Sequence, residues 1–355
     1  MTVQGVSPQL VENNPTEDQV KSSFHKNRPS RWRLYTPVVG LVLLGWVLSR
    51  VDYRIMLDSL KAISWRSLAF AFACFSINVL IKAIRWRRML SAQAIAIPTS
   101  VAIAAYLNGQ FYGQVTLGHL GEFYRAEALV ERSISVGRAM SSCVFDRLLD
   151  VFILLSLAAV LGASVAGNHT AAWLAGGFLA VCAACGVLAL IEVKYALMPQ
   201  GARLWMNERL SAIEHKKIIG RFVKEIRELM GGATFLIRPT RLLEALLWST
   251  IAWTGYFATL WQLSQGIGCQ LSRAVQTTAA SLAALSSLLP ITFSGLGVRE
   301  VVFAQVLGSE GATMEKAVLL SLINLGVMVA STLGLGIIGL VWRGKQQIDA
   351  VKRRF

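Results

Sequence analysis

The sequence predicts an all-α protein, a bundle of membrane-spanning helices. Apolar residues make up 54% of the chain and charged residues only 15%, whereas a soluble globular domain is nearer a quarter charged. The apolar residues also fall in blocks, several of which approach or exceed the roughly 20 residues that a helix needs to cross the hydrocarbon. A chain of 355 residues then has room for about six to eight such spans.

The chain divides into a polar N-terminal segment, a long apolar region and a short basic C-terminal segment. Residues 1–33 are polar and lack the apolar stretch of a signal peptide, so we expect a disordered cytoplasmic tail. The transmembrane domain is predicted over residues 34–342, and residues 343–355 are predicted to form a basic cytoplasmic tail.

Six apolar stretches predict complete spans. They cover about residues 34–50, 67–84, 141–163, 171–192, 242–264 and 317–342. Two further apolar stretches, 98–118 and 275–308, are interrupted by polar residues and glycines, and the second also contains Pro290. Both are followed at once by charged residues, so neither reads as an ordinary span.

The distribution of Lys and Arg orients the chain. The N-terminal segment, the hydrophilic connection 193–241, the C-terminal tail and Arg85, Arg87 and Arg88 are all basic, and the positive-inside rule therefore places them in the cytoplasm. These assignments agree only if 98–130 and 275–308 each enter and leave the membrane on one side. We therefore predict six full spans and two re-entrant hairpins of opposite entry. The alternative is eight full spans with one violation of the charge rule.

Residues 203–230, within the basic connection, have helical periodicity, with an apolar stripe and a basic face. Such a helix lies either on the anionic leaflet or against the cytoplasmic ends of the spans.

A short internal repeat supports the two-hairpin prediction. Residues 116–121 read Thr-Leu-Gly-His-Leu-Gly, and residues 292–297 read Thr-Phe-Ser-Gly-Leu-Gly. Thr, Leu and the final Gly share one offset, and Arg and Glu follow in both segments. Inverted repeats with broken helices near the bilayer midplane are typical of secondary transporters.

Composition and motifs also exclude several classes of function. The net charge is +15, but the basic residues flank apolar spans instead of forming the single basic module of a nucleic-acid-binding protein. The pair Cys182 and Cys185 lies in an apolar run without a nearby His, so we interpret both as packing residues. No metalloprotease, P-loop, serine-hydrolase or dinucleotide-binding motif is present. We therefore expect no metal, no cofactor and no catalytic activity, although an intramembrane enzyme remains an alternative.

Three charged motifs lie in or beside the apolar region, where charge is costly and therefore paired or placed against a wet cavity. The first contains Gly118, Gly121, Glu122 and Arg125. Its glycines permit a sharp turn and bare backbone N–H groups, and Arg125 can bind a lipid phosphate with two hydrogen bonds. The alternative is a structural pair between Glu122 and Arg125, which are three residues apart.

The second motif contains Asp146, Arg147 and Asp150. The two aspartates are four residues apart, so they share a helix face and repel each other. Arg147 can pair with Asp150, which leaves one carboxylate in need of a cation from elsewhere, such as Arg125 or Arg299. A structural salt bridge and a direct ligand role are both compatible with this pattern.

The third motif follows Pro290, which breaks its helix. Arg299 and Glu300 then begin a new helix, whose N-terminus favours an anion. The candidate residues here are Ser294, Gly295, Gly297, Arg299 and Glu300.

Together the three motifs resemble those of the lysylphosphatidylglycerol synthetase transmembrane family, a flippase-like membrane domain. Gly118 to Arg125 is similar to its G-x-x-G-[DE]-x-x-R string, Asp146 to Asp150 to [ED]-R-L-L-D, and Pro290 to Glu300 to P-x-x-x-x-G-L-G-x-R-E. The resemblance covers about residues 35–342. This chain differs at Leu117, where the family usually has Pro.

The resemblance implies lipid translocation across the bacterial inner membrane, or the role of a membrane partner in lipid-linked glycan pathways. Known members flip aminoacylated phosphatidylglycerol and carry a soluble aminoacyl-transferase domain. Since this chain ends at Phe355, soon after its last predicted span, we expect it to lack that domain and not to make lysyl-lipid itself.

The hypothesis from the sequence is a lipid flippase for an anionic or aminoacylated phospholipid. Arg125 and Arg299 hold the phosphate between the two hairpins. The carboxylates that balance them when no lipid is bound are Glu122, Asp146, Asp150 and Glu300. The alternatives are transport of a polyprenyl-phosphate-linked sugar, or a non-transporting partner of a separate lipid-modifying enzyme or glycosyltransferase. The sequence does not indicate an oligomeric state, a direction of transport or an energy source.

Overall fold

The structure is a computed structural model that describes residues 32–165, 238–289 and 292–352. In these residues it is helical, with one isolated β-bridge and no longer strand. The helices are α1 (Trp32–Leu48), α2 (Tyr53–Lys61), α3 (Trp65–Ala92), α4 (Thr99–Gln114), α5 (Glu127–Val130), α6 (Val136–Val165), α7 (Pro239–Gly266), α8 (Arg273–Ser287), α9 (Val298–Gly308) and α10 (Met314–Lys352), with a 3₁₀ segment at Leu120–Ala126.

Helices occupy five of the six predicted spans, while the span predicted at 171–192 lies outside the described residues. So do the helix predicted at 203–230, Pro290 and most of the predicted N-terminal tail. Two of the predicted spans continue well past their predicted C-terminal ends. Helix α3 continues past residue 84 to Ala92, and α10 continues past residue 342 to Lys352. Residues 343–352, predicted as a tail, are therefore helical, since charged residues outside the hydrocarbon can extend a helix without breaking its hydrogen bonds.

Helix starts follow local capping chemistry. The hydroxyl of Ser64 accepts a hydrogen bond from the backbone N–H of Ser67 at the start of α3, and Ser272 does the same for Val275 in α8. Pro239 occupies the first position of α7, where its missing N–H costs nothing. These caps fix where the long helices begin.

The two interrupted apolar stretches form helical hairpins. In the first, the 16 residues of α4 are followed by a turn and by the 3₁₀ segment, which packs back on α4. In the second, α8 has 15 residues and α9 has 11. At 1.5 Å per residue these α-helical arms are about 16–24 Å long, shorter than the roughly 30 Å of hydrocarbon. Each of these arms is therefore too short to cross the hydrocarbon by itself.

The two halves of the protein repeat one arrangement: a long helix, a hairpin and a second long helix. Helices α3 and α7 pack along each other in antiparallel directions, since Thr259 Oγ1 donates to the carbonyl of Ala71 (3.2 Å) and Asn78 Nδ2 donates to that of Ala252 (2.5 Å). Helix α4 packs against α10, and α8 packs against α6. Each hairpin thus lies against the long helix that follows the other hairpin, which is the arrangement of an inverted repeat.

The hairpin tips, residues 115–119 and 292–297, meet each other at equivalent positions of the repeat. Leu117 and Phe293 are the second residues of the two repeated segments, and they pair in an isolated antiparallel bridge. In an inverted repeat, a segment contacts its own counterpart near the two-fold axis that relates the two halves, and the two tips do so here. The residues with left-handed backbone also correspond: Gly118 and His119 in the first tip, Ser294 and Gly295 in the second.

Two of the described helices, Trp65–Ala92 and Met314–Gly339, are long and apolar enough by themselves to cross a membrane. The arrangement of six spans and two re-entrant hairpins stays a prediction.

We expect Gly297→Ala to destabilise the protein. Gly297 has φ +85°, and an added Cβ would overlap the carbonyl oxygen of Gly40 and lie 2.9 Å from Leu43 Cβ. Backbone strain and overpacking each cost about 1–3 kcal/mol, so we expect a loss of about 2–4 kcal/mol, measured as a lower melting temperature in detergent. Gly308→Ala, in the same helix but with no atom within 4 Å of the added Cβ, is the control. Equal melting temperatures of the two variants would contradict this packing.

Candidate functional site

Arg85 of α3 lies at the centre of a buried ionic cluster, which comprises Lys82, Arg85, Arg125, Asp146 and Asp150. Arg85 has no exposed surface. Its Nε and one terminal nitrogen lie 2.9 and 2.6 Å from Asp146 Oδ1, and the other terminal nitrogen lies 2.7 Å from Asp150 Oδ1. The two carboxylates sit one turn apart on α6 and repel each other, so Arg85 removes that repulsion by binding both.

Asp150 has further partners from two other elements. Lys82 Nζ lies 3.1 Å from Asp150 Oδ2, and the indole N–H of Trp253 in α7 donates to Oδ1 at 3.1 Å. The Lys82 ammonium also lies over the Trp253 ring, 3.8 Å from its centroid. These contacts tie α3, α6 and α7 together in the interior.

Arg125 of the first hairpin completes the cluster. Its guanidinium lies 2.8 Å from Asp146 Oδ2, donates to the carbonyl of Cys143 and sits against the rings of Trp86 and Tyr106. The prediction that the second motif takes a cation from elsewhere, such as Arg125, is therefore confirmed. Because of these contacts Arg125 is already paired with Asp146, and the first hairpin is held against α6.

Sequence reasoning missed Lys82 and Arg85 as members of the site. It placed Arg85 just beyond the end of a span, whereas the helix continues to Ala92 and Arg85 is fully buried. A signal was available: Lys82 lies inside the predicted span 67–84, and a charge within a span indicates a partner or a cavity. Arg85 follows three residues later, on the same helix face.

Glu122 pairs with Arg147 across elements. Arg147 forms an ion pair with Glu122 Oε1, and His119 Nδ1 lies 3.6 Å from the same oxygen. The pairs expected along the chain, between Glu122 and Arg125 and between Arg147 and Asp150, are replaced by tertiary ones. The reason is that Asp146 and Asp150 already receive Arg125 and Arg85 from other elements.

A cavity of about 70 Å³ lies between the ionic cluster and the hairpin tips. One water needs roughly 10–15 Å³ on this scale, so the cavity can hold a few waters or a small anion. No group of His, Cys, Asp or Glu in the part of the chain that the structure describes could hold a metal ion. The polar lining comprises Asn78, Lys82, Gln110, Gln114, His119, Glu122, Arg147, Asp150, Ser287 and Arg299.

Arg299 lines the cavity and has no counter-charge within the described part of the chain. It is 3% exposed, and none of the described carboxylates lies within ion-pair distance of it. Its terminal nitrogens make long contacts, 3.6 Å to Met328 Sδ and 3.5 Å to the carbonyl of Ser321, and its Nε has no hydrogen-bond partner among the described residues. A buried cation with unsatisfied donors is costly, and an anion in the cavity would remove that cost.

Glu300 does not balance Arg299, although the sequence suggested it would. One carboxylate oxygen accepts a hydrogen bond from the backbone N–H of Gly297 at 2.7 Å, and the other accepts one from Ser321 Oγ at 2.8 Å. Glu300 thus caps the start of α9 and ties it to α10.

The remaining candidate residues shape the hairpin tips. Ser294 Oγ donates to the carbonyl and the side-chain oxygen of Gln114, at 3.0 and 2.6 Å, and thereby joins the two tips. Gly118 and Gly295 supply left-handed backbone, and Gly121 leaves room for Thr116 Oγ1, which accepts its N–H at 2.7 Å. Of the residues that the sequence singled out, the cavity is lined by Glu122, Arg147, Asp150 and Arg299.

A model of a known protein family matches most of this chain. The model described as "Lysylphosphatidylglycerol synthase TM region" matches residues 34–336, which include both hairpins and the whole ionic cluster. The chain belongs to this family. It is therefore a membrane protein of a family related to lipid modification or translocation. No curated protein matches the chain.

We expect Asp146→Asn to be strongly destabilising. The variant leaves two fully buried arginines, Arg85 and Arg125, without the carboxylate that both bind. Loss of one partner from a buried ion pair costs about 3–5 kcal/mol. Thermal or denaturant unfolding in detergent measures this loss.

Glu244→Gln is the matched control, because it removes an ion pair with Arg88 and Arg241 at the exposed end of α7. Exposed pairs contribute about 0–1 kcal/mol. Equal effects of the two substitutions would show that the ionic cluster does not stabilise the bundle.

Proposed function

We propose that this protein is a lipid flippase that moves an anionic or aminoacylated phospholipid across the bacterial inner membrane. The observation that carries the proposal is Arg299, a buried cation that has no carboxylate partner among the described residues and that lines a polar cavity between the ionic cluster and the hairpin tips. A lipid phosphate is an anion that can enter a cavity inside a membrane protein from the bilayer. A guanidinium binds phosphate well.

The proposed membrane topology has six full spans, two re-entrant hairpins of opposite entry and both termini in the cytoplasm. The α-helical hairpin arms, at most 16 residues each, support this topology because they are too short to cross. The antiparallel packing of α3 and α7 supports opposite entry. With this topology the paired tips lie near the midplane, where secondary transporters hold their substrates.

In the proposed mechanism the phosphate binds Arg299, and the acyl chains stay in the bilayer. Lys82 and Arg147 also line the cavity and can strengthen the field around the anion, although each is paired with a carboxylate. Arg125, which the sequence assigned to the phosphate, instead holds Asp146 and the first hairpin in place.

The paired tips form the gate in this proposal. The cavity of about 70 Å³ is too small for a complete phospholipid headgroup, so transport requires the tips to separate. The described contacts between them are the bridge of Leu117 with Phe293 and the hydrogen bonds of Ser294 to Gln114. Each hydrogen bond contributes only about 0.5–1.5 kcal/mol, so the tips can open without unfolding the bundle.

We expect Arg299→Ala to abolish lipid translocation while the protein still folds, since Arg299 makes no ion pair that holds the bundle together. The measurement is the accessibility of an acyl-labelled fluorescent phosphatidylglycerol to external dithionite in vesicles that contain the purified protein. Arg273→Ala is the control, because Arg273 is exposed at the start of the same hairpin.

Normal transport by a folded Arg299→Ala variant would show that Arg299 does not bind the lipid. Wild-type protein that moves no lipid would contradict the flippase proposal itself, and would favour a non-transporting partner of a lipid-modifying enzyme or glycosyltransferase.

We also expect a disulfide across the gate to stop transport reversibly. Residues opposite each other in an antiparallel pair have Cα atoms about 4.5–5.5 Å apart, within the range that a disulfide spans. In a background without the native cysteines, Leu117→Cys combined with Phe293→Cys should block transport under oxidation and recover it under reduction. Each single variant should transport under both conditions, and full transport by the cross-linked protein would contradict the gate.

A further inference from the structure

The charged groups that line the cavity differ in whether they are already paired with a group of opposite charge. Both carboxylates in the lining are already engaged: Asp150 binds Lys82 and Arg85, and Glu122 binds Arg147. A cationic ligand can therefore bind a carboxylate only if it displaces one of these partners. In contrast, Arg299 has no carboxylate partner among the described residues, so an anion can bind it without breaking an ion pair.

The largest aromatic group of the lining, Trp253, does not offer a site for a cation either. Aromatic rings bind ammonium groups through their faces. The face of Trp253, the largest ring in the cavity lining, is occupied by the Lys82 ammonium at 3.8 Å from its centroid. A second ammonium near Trp253 would meet Lys82 and be repelled by it.

The uncharged part of the lining suits hydroxyl groups. Gln110 and Gln114 carry amides that both donate and accept hydrogen bonds, and they line the cavity beside Ser287. Such groups can bind the hydroxyls of a glycerol or a sugar, and they give no advantage to an ammonium.

From these observations we infer that the cavity selects lipids whose headgroup carries a phosphodiester and hydroxyls but no ammonium, and discriminates against aminoacylated headgroups. The inference rests on the proposed flippase function and specifies its substrate class. A phosphodiester carries a single negative charge, which can form an ion pair with Arg299. A lysyl headgroup adds positive charge to a cavity in which every cation except Arg299 is already needed by a carboxylate.

The test compares three lipids in vesicles containing the purified full-length protein: fluorescent phosphatidylglycerol, its lysyl ester, and a short-chain polyprenyl phosphate that carries one sugar. We expect phosphatidylglycerol, or the sugar lipid, to cross at least about ten times faster than lysyl-phosphatidylglycerol, since unpaired charges against a wrong ligand give discrimination of this order. The comparison of phosphatidylglycerol with the sugar lipid distinguishes the two possible sources of the phosphodiester.

Transport of the lysyl lipid at the same rate or faster overturns the inference and leaves the flippase function standing. Transport of none of the three lipids overturns both. Native mass spectrometry of the wild-type protein with equal amounts of phosphatidylglycerol and its lysyl ester gives an independent measurement, and preferential retention of the lysyl ester would also overturn the inference.

The variant Arg299→Gln checks the cause of the selectivity. It keeps a polar side chain but removes the unpaired charge, so transport of the preferred lipid should fall more than transport of the lysyl lipid. A variant that unfolds is recognised by its melting temperature, and the wild-type comparison of the three lipids decides the inference in that case. A folded variant with unchanged selectivity would show that Arg299 does not select the headgroup.

Discussion

The structure depends on one interaction, the contact of the Arg85 guanidinium with the two carboxylates of α6. Asp146 and Asp150 lie one helical turn apart, and both are almost fully buried, so solvent screens the repulsion between their charges only weakly. Arg85 binds both, and this allows α3 and α6 to pack with these groups inside. Lys82 and Arg125 then use the remaining carboxylate oxygens and bring in α7 and the first hairpin. Without this contact the bundle would contain unpaired charge at its centre.

The buried charges fall into two groups with different consequences. Those of the ionic cluster are satisfied by short contacts to groups on other helices, and they make the position of each helix specific. Arg299 is equally buried but has only long contacts to a thioether and a carbonyl. Burial of Arg299 without a carboxylate partner among the described residues costs free energy, which other interactions of the fold must offset. Such a cost is typical of groups retained for binding. The arginines of the ionic cluster therefore stabilise the fold, whereas Arg299 serves the proposed function.

Much of the fold and part of the site followed from the residues. Helical spans, the two interrupted stretches and the repeated Thr-x-x-x-Leu-Gly segments were visible as patterns, and the need of the second motif for an outside cation was deduced from the spacing of Asp146 and Asp150. Arg85 was expected beyond the end of a span because charge next to a span usually marks its end, whereas the structure continues this helix to Ala92 and buries Arg85. The alternative interpretation, a pair between Glu122 and Arg125, is not what the structure shows, because pairs three residues apart are weak and the buried carboxylate of Asp146 competes for the arginine.

The sequence by itself determined which segments are helical, where the chain must reverse and which residue types carry charge into the apolar region, because these properties depend on local composition and spacing. Only the tertiary structure decided which charges neutralise one another, since a pairing such as that of Arg147 with Glu122 depends on how helices distant in the chain pack. For the same reason, only the tertiary structure shows that Arg125 is engaged and Arg299 is not. The two residues look alike in the sequence, and what separates them is the presence of Asp146 beside one and an open cavity beside the other.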